Sequence, residues 1–259
     1  MGHPPQRLLK SIVMHDIPMD AIAAMERWYY KDHSPEVVRR FGPWQARHDS
    51  YLPVDAPAEA RAYGFYNWRV TEGWWRELPR PGPQGNLCFT LPPVWPRVAT
   101  CFIPWQPTED FIGHDVSVGQ KNVLRWYVLM RYPRGVRFED AEEWFLKTHV
   151  PQVKRQRGLW RFFSYRTLRE PRALPGNWPP AATPPAGSVM AQWDRVCELW
   201  YESFADWRHA VIEAPPAYTV PPWATYGCYP FLDPWVDFVS SFLLQRPTDE
   251  FLRDARGYG

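Results

Sequence analysis

Cysteine is scarce in this chain and poorly spaced for chemistry. The four present, Cys88, Cys101, Cys197 and Cys228, form no C-x-x-C pair, so neither a structural zinc site nor a dithiol redox centre is expected. No apolar run approaches the roughly 20 residues that span a bilayer, and no apolar signal core follows Met1 to Gln6. A soluble protein that stays in the cytoplasm is the expectation. An excess of one charge is missing too. Lys+Arg number 30 against 28 Asp+Glu, a formal net charge of +2, which leaves no basic surplus for a dedicated nucleic-acid or anionic-membrane surface. Also absent are G-x-G-x-x-G, the P-loop, G-x-S-x-G and H-E-x-x-H. Nucleotide cofactors and serine-hydrolase chemistry lose their support. No spacing announces a metal site, and no cofactor is expected.

What the chain has in quantity is proline and aromatics. Sixteen Trp, 13 Tyr and 14 Phe accompany 30 Pro, and apolar residues make up 45%. The balance is that of a packed globular protein with long ordered loops. The aromatics either fill a core or line a pocket for a flat, apolar ligand. A chain of 259 residues holds one large domain or two small ones.

The chain repeats itself. At an offset of 116, that of His33 and His149, Met14 meets Met130, Glu26 meets Glu142, Trp28 meets Trp144 and Lys31 meets Lys147. Pro35 then meets Pro151, Gly42 meets Gly158 and Trp44 meets Trp160. Beyond Trp44 the offset drifts. Ser50-Tyr51 aligns with Ser164-Tyr165, Trp68, Trp75 and Arg76 with Trp200, Trp207 and Arg208, and Ala99-Thr100 with Ala224-Thr225. Pro171 to Gly187, with six prolines, has no equivalent in the first half and reads as an irregular insertion. The modules are placed at 1–118 and 119–259, the second carrying the insertion and a C-terminal tail.

Each module reads as βαββαβ. Leu9 to Met14 and Arg125 to Met130 have strand composition. Ile22, Met25, Tyr29 and His33 share one helical face, as do Phe138, Ala141, Phe145 and His149. Asp20 is the expected N-cap, and each helix is expected to end near its His, before the proline. A second strand runs through Tyr51 or Tyr165. A third is expected at Ala62 to Trp68 or Met190 to Trp200, a second helix at Thr71 to Leu78 or Phe204 to Glu213, and a last strand at Val98 to Ile103 or Trp223 to Tyr229. Each such sheet exposes one face that needs a cover. Sheet packed on sheet supplies it, so the expected class is α+β, with tandem ferredoxin-like modules forming an α+β barrel. The cover comes from the other module or from a second chain in a homodimer.

Trp28 to Val37, with Gly42 behind it, and Trp144 to Val153, with Gly158, resemble the EthD-like family of the dimeric α+β-barrel superfamily. Glu198 to Trp207 is similar to that family's passage from strand to second helix. The resemblance covers most of both halves, outside the proline-rich insertion and the tail after about Phe238. It implies small, often cofactor-free catalysts of aromatic-compound catabolism: decarboxylases, dehydratases, isomerases or cyclases, and quinone-forming monooxygenases. Some relatives bind haem. It also implies a ligand between sheet and helices, against the face carrying His33 or His149.

The candidate catalytic residues are His33, Tyr51, His149 and Tyr29. At the end of a helix, the dipole favours a protonated imidazole while burial opposes it, which would leave the group titrating near neutrality. Tyr51 is placed to orient substrate or stabilise developing negative charge. A structural His and a core Tyr are the plain alternatives. Candidate substrate-binding residues are Trp28, Tyr30, His15, His48, Arg39, Tyr165 and Trp68. Arg39 is the candidate for holding a carboxylate. The first half carries the more polar set, so it is favoured as the active one. The leading expectation is a cofactor-independent acid–base lyase, a decarboxylase first, acting on an aromatic or apolar small molecule with a carboxylate or carbonyl. The alternatives are a cofactor-free monooxygenase, a haem-binding relative and a non-catalytic binding protein.

Overall fold

The computed structural model describes residues 8–77, 90–113, 123–168 and 193–253. The insertion at Pro171 to Gly187 lies outside them.

In the first half, β1 (Leu9–Asp16) leads through a short 3-10 turn into α1 (Ile22–Trp28). The helix does not stop at His33. It widens into a π turn over Tyr29–His33 and resumes as α2 (Ser34–Phe41). The Ser34 N–H reaches back five residues to the Tyr29 carbonyl. This resets the ladder so that Pro35 falls in the first turn of a new α segment, where its missing N–H leaves nothing unpaired. The second half does the same with α4 (Phe138–Trp144), a π turn at Phe145–His149 and α5 (Val150–Val153). Asp20 sits in the opening 3-10 turn and makes no capping bond.

The remaining elements of the first half are β2 (Gln45–Tyr51), a turn of helix α3 (Ala58–Arg61), β3 (Arg69–Trp75), β4 (Arg97–Pro104) and β5 (Glu109–Ile112). The second half has β6 (Leu124–Met130), β7 (Leu159–Arg166), β8 (Arg195–Tyr201), α6 (Phe204–Arg208) running on through His209–Glu213, β9 (Phe238–Leu244) and β10 (Asp249–Arg253). Three sequence expectations fail here. Thr71 to Trp75 is strand β3, not the start of a second helix, and the segment before it, Ala62 to Trp68, is irregular apart from one bridge. Trp223 to Tyr229 is turns; the last sheet strand of the core comes from Phe238–Leu244, in the stretch read as a tail.

Two antiparallel five-stranded sheets result, ordered β10-β2-β3-β1-β4 and β5-β7-β8-β6-β9. Four strands of each follow the ferredoxin-like order. The fifth is exchanged: β5 of the first half edges the second sheet, and β10 of the second half edges the first. The same bulge interrupts both exchanged pairs, between Asp110 and Ile112 and between Glu250 and Leu252. The sheets share one apolar core, with Ile12, Met14, Val70 and Ile103 from one and Tyr127, Leu129, Val196 and Leu243 from the other. The α+β barrel is therefore closed within a single chain.

Strand register refines the duplication. Lys10 and Arg125 both face a Trp of the neighbouring strand, Trp74 and Trp200, and Asp49 and Phe163 face Glu72 and Glu198. Lys10 therefore corresponds to Arg125, His15 to Met130, His48 to Phe162, Arg69 to Arg195, Glu72 to Glu198 and Tyr51 to Tyr165. The helices keep the offset of His33 and His149, but β1 and β6 are one residue out of it, so Met14 matches Leu129 rather than Met130. Trp44 precedes its strand whereas Trp160 lies within β7. The Trp75-Arg76 and Trp207-Arg208 match joins a strand end to a helix.

Candidate functional site

The π turn decides what looks at the first sheet. It turns His33, Tyr29 and Trp28 toward β1, β2 and β3. Residues of one parity on those strands, His15, His48 and Thr71, meet them. The Tyr29 hydroxyl lies 3.3 Å from Thr71 Oγ1. Trp28 stacks on His33 with ring centroids 4.6 Å apart, and its Nε1 donates to the Thr90 carbonyl at 2.9 Å. Trp68 packs edge-on against both Tyr29 and His15, at 5.5 Å each. Six of the candidate residues, His15, Trp28, Tyr29, His33, His48 and Trp68, therefore gather on one side of one sheet. Counterparts in the second half read Met130 for His15, His149 for His33, Phe162 for His48 and Cys197 for Thr71. Three imidazoles occupy a space that in the other half is mostly apolar.

All three are held neutral. Burial lowers the His48 pKa to about 4. Burial, and then the nearby His48, lower His33 to about 4 against a small opposing pull from Glu36. Burial, with His33 close by, takes His15 to about 3. The expected cancellation between helix dipole and burial does not occur. The helix continues to Phe41, so His33 sits mid-helix with no dipole end beside it. His15 Nδ1 lies 3.2 Å from the Arg69 carbonyl, while His48 Nδ1 is buried with no hydrogen-bond partner among the described residues.

Beneath the site lies a fully buried guanidinium. Arg69 donates to Glu26 Oε2 at 2.6 Å, to Asp249 Oδ2 at 3.0 Å, to Ser50 Oγ at 3.0 Å and to the Tyr30 hydroxyl at 2.8 Å, and its head lies 4.1 Å from the Tyr29 ring centre. Glu26 also accepts from Trp68 Nε1 at 2.5 Å. The second half repeats the device, with Arg195 held by Glu142, Glu109 and Ser164. In each case one carboxylate comes from the helix and one from the exchanged strand. Sequence reasoning matched Glu26 with Glu142 but did not see the arginines, because their partners lie far apart in the chain.

Four expected site residues lie elsewhere. Tyr51 and Tyr165 point to the opposite face of their sheets, into the space between them, so Tyr51 cannot share a ligand with His33. Arg39 is on the exposed side of α2. Tyr30 is exposed and bonded through its hydroxyl to Asp249 and Arg69. Tyr51 instead donates to Glu72 in a charged centre between the sheets. There Lys10 and Tyr127 also bond Glu72, and Arg125 is bonded to Glu198 at 2.8 Å. Two buried cations thus balance two buried carboxylates. Burial pushes the Glu72 carboxyl up, but Lys10 and Arg125 prevail and hold it near a pKa of about 2.

His149, the counterpart of His33, is buried between the Trp144, Phe145 and Tyr229 rings, lying parallel to Tyr229 at 5.6 Å. Burial, then Arg195, lower its pKa to about 3. It lines a small cavity with Trp126, Phe162, Leu199, Tyr229 and Pro230 that has room for a water-sized guest. Among the described residues, no group of three or more His, Cys, Asp or Glu is placed to hold a metal ion, and no helix is long and apolar enough to cross a membrane.

Residues 6–86 match the family model of the chalcone isomerase N-terminal domain. That stretch holds every residue of the histidine-lined face, but it is under a third of the chain. This match does not confirm the EthD-like resemblance. No curated protein matches the chain. Among solved structures, a mutant chlorite dismutase from Candidatus Nitrospira defluvii in complex with cyanide is 8% identical, covering 94% of this chain and 92% of its own at a TM-score of 0.44. An anthrone oxidase-like protein is 9% identical over 96% of this chain and 97% of its own, also at 0.44. The fold itself rests on the strand order above.

Proposed function

We propose that the first half of this chain is a cofactor-independent acid–base catalyst acting on a flat, uncharged aromatic compound that carries a carbonyl or hydroxyl. The observation that carries the reading is the convergence of His15, His33 and His48 on one sheet face at positions whose counterparts include Met130 and Phe162. A neutral imidazole accepts a proton from an acidic C–H or O–H and returns it elsewhere on the same molecule. His33 is the proposed base, lying between Trp28 and Tyr29. Tyr29 and Thr71 supply hydroxyls for a developing enolate oxygen.

Isomerisation or cyclisation is favoured over decarboxylation. Arg69 is committed to Glu26 and Asp249, and Arg39 lies off the face, so neither is available to a substrate carboxylate. The match to a chalcone isomerase N-terminal domain over residues 6–86 supports the same choice, since chalcones are uncharged aryl ketones.

The test is turnover of chalcone-type and other aryl ketones, with aromatic carboxylates as the contrasting set. His33→Ala is expected to lower kcat about 10²- to 10⁴-fold with the melting temperature nearly kept, and His149→Ala to lower stability while leaving turnover of the folded fraction intact. A base must be deprotonated to act, so kcat/KM is expected to hold through neutral pH and fall as pH drops through about 4. A fall centred near 6.5, the ordinary histidine value, would remove His33 as the base. Binding without turnover across the panel would make this a binding protein.

A haem-binding role is the second reading, and His149 favours it. Its buried imidazole has an Nδ1 without a partner among the described residues, in an apolar pocket. The donor suits the group but the space does not. The cavity admits a water-sized guest, so a macrocycle requires Tyr229 and Pro230 to give way. A Soret band on titrating haemin into the purified chain, lost in His149→Ala, supports this reading; its absence removes it.

A further inference from the structure

The edge of the histidine-lined face beyond β2 is closed by a residue that neither the helix nor the first half supplies. Strand β10 reaches the first sheet from the far end of the chain, with Asp249 opposite Ser50 and Leu252 opposite His48. At the bulge between Glu250 and Leu252 the chain sets Phe251 against two residues of the face, Tyr29 and His48, and against Tyr30 beside it. Its ring centre lies 5.7 Å from Tyr29, 6.1 Å from Tyr30 and 6.1 Å from His48. Asp249 fixes the strand there, paired with buried Arg69 at 3.0 Å and accepting from the Tyr30 hydroxyl at 2.8 Å. The second half shows what this position does where its neighbours are apolar. Phe111, at the same bulge in β5, packs 4.8 Å from Phe162 and 6.3 Å from Phe145, ring on ring within an apolar core. In the first half Phe162 is replaced by His48, and the phenylalanine of the exchanged strand faces an imidazole and two phenols instead.

We propose that Phe251 is the specificity-determining wall of the site, and that it limits the width of the aromatic system that fits between β10 and Trp28. This rests on the proposed function above. A hydrophobic wall discriminates by excluded volume, and one methylene more or less in such a pocket is worth about 10- to 200-fold. Removing the ring should therefore favour wider ligands, and enlarging it should favour narrower ones. Because the wall belongs to the second half, the site in the first half is complete only after the strands have exchanged.

The experiment uses the full chain with acetophenone, chalcone and anthrone as one-, two- and three-ring probes. Binding is read by quenching of tryptophan fluorescence, and melting temperature is recorded for every variant. Phe251→Ala is expected to shift the anthrone-to-acetophenone affinity ratio upward by about 10-fold or more, and Phe251→Trp to shift it downward. Phe111→Ala, the counterpart change in the second half, should leave the ratio unchanged. Phe251→Trp keeps a large apolar ring against Tyr29, so it informs even if Phe251→Ala folds poorly. Binding that is weakened by His33→Ala but shows the same ratio in both Phe251 variants would overturn the wall while leaving the site standing. No binding of any probe to the intact chain, or binding indifferent to His33→Ala, would overturn the site and the wall together.

Discussion

Four histidines in this protein, His15, His33, His48 and His149, have pKa values of about 3 to 4 because burial denies their charged forms water. In the unfolded chain each returns to about 6.5. The unfolded state therefore binds protons that the folded state refuses, so stability is full above about pH 6.5 and is lost as pH falls toward 4. The limiting slope is about 1.4 kcal/mol per pH unit for each such group. His48→Phe, which installs the ring of its counterpart, should remove one histidine from that slope. Urea unfolding of both proteins at pH 7, 6 and 5 checks this; parallel stability curves would mean that His48 takes up its proton as readily in the folded chain as in the unfolded one. Glu72 works the same way at lower pH. Its carboxyl is depressed to about 2, so its contribution is present above the ordinary carboxylate pKa and goes only as pH falls through about 2. His33 and His149 were legible in the sequence because both sit on a helix whose offset never changes. Tyr51 was not. Its distance from His33 along the chain carries no information on which face of a strand it takes, and a shift of one residue reverses the face.

The element that most departs from sequence expectation is the exchanged strand. Nothing in Glu109–Ile112 or Asp249–Arg253 announces a partner, because five or fewer residues hold little pattern and the partner strand lies in the other half. The buried arginines are the sign, once their strands are placed. Arg69 ties α1 through Glu26 to β10 through Asp249. Replacing it with Met is expected to cost about 3 to 5 kcal/mol, since two carboxylates are left unpaired beneath the helix. Denaturant unfolding of Arg69→Met, with hydrogen exchange of the β10 amides, is the measurement. Loss of protection confined to β10 would fit the tie, whereas unchanged exchange there would exclude it. The second-helix expectation failed for a related reason. Trp75-Arg76 and Trp207-Arg208 are the same pair of letters, but Val70, Thr71 and the two Trp of β3 suit a pleated surface, and Glu72 is held opposite Ile12 within reach of Lys10.

At the scale of the whole molecule, the two halves divided near residue 118 are expected to depend on each other. Each takes its edge strand and one guanidinium partner from the other, and they share a core between the sheets. Residues 1–118 and 119–259 produced separately should lack stable structure, and mixing them should restore helical and sheet signals by circular dichroism. Two independently folded halves would contradict the exchange. The same topology carries a consequence for synthesis. Ser50 must wait for Asp249, its neighbour in the first sheet. At about 5 to 20 residues per second, a ribosome needs roughly 10 to 40 s to cover that interval. For all of that time the nascent first half carries an open sheet edge and a buried-type arginine without its second carboxylate. Chaperone dependence during translation, rather than slow folding of the finished chain, is where this architecture should show its strain.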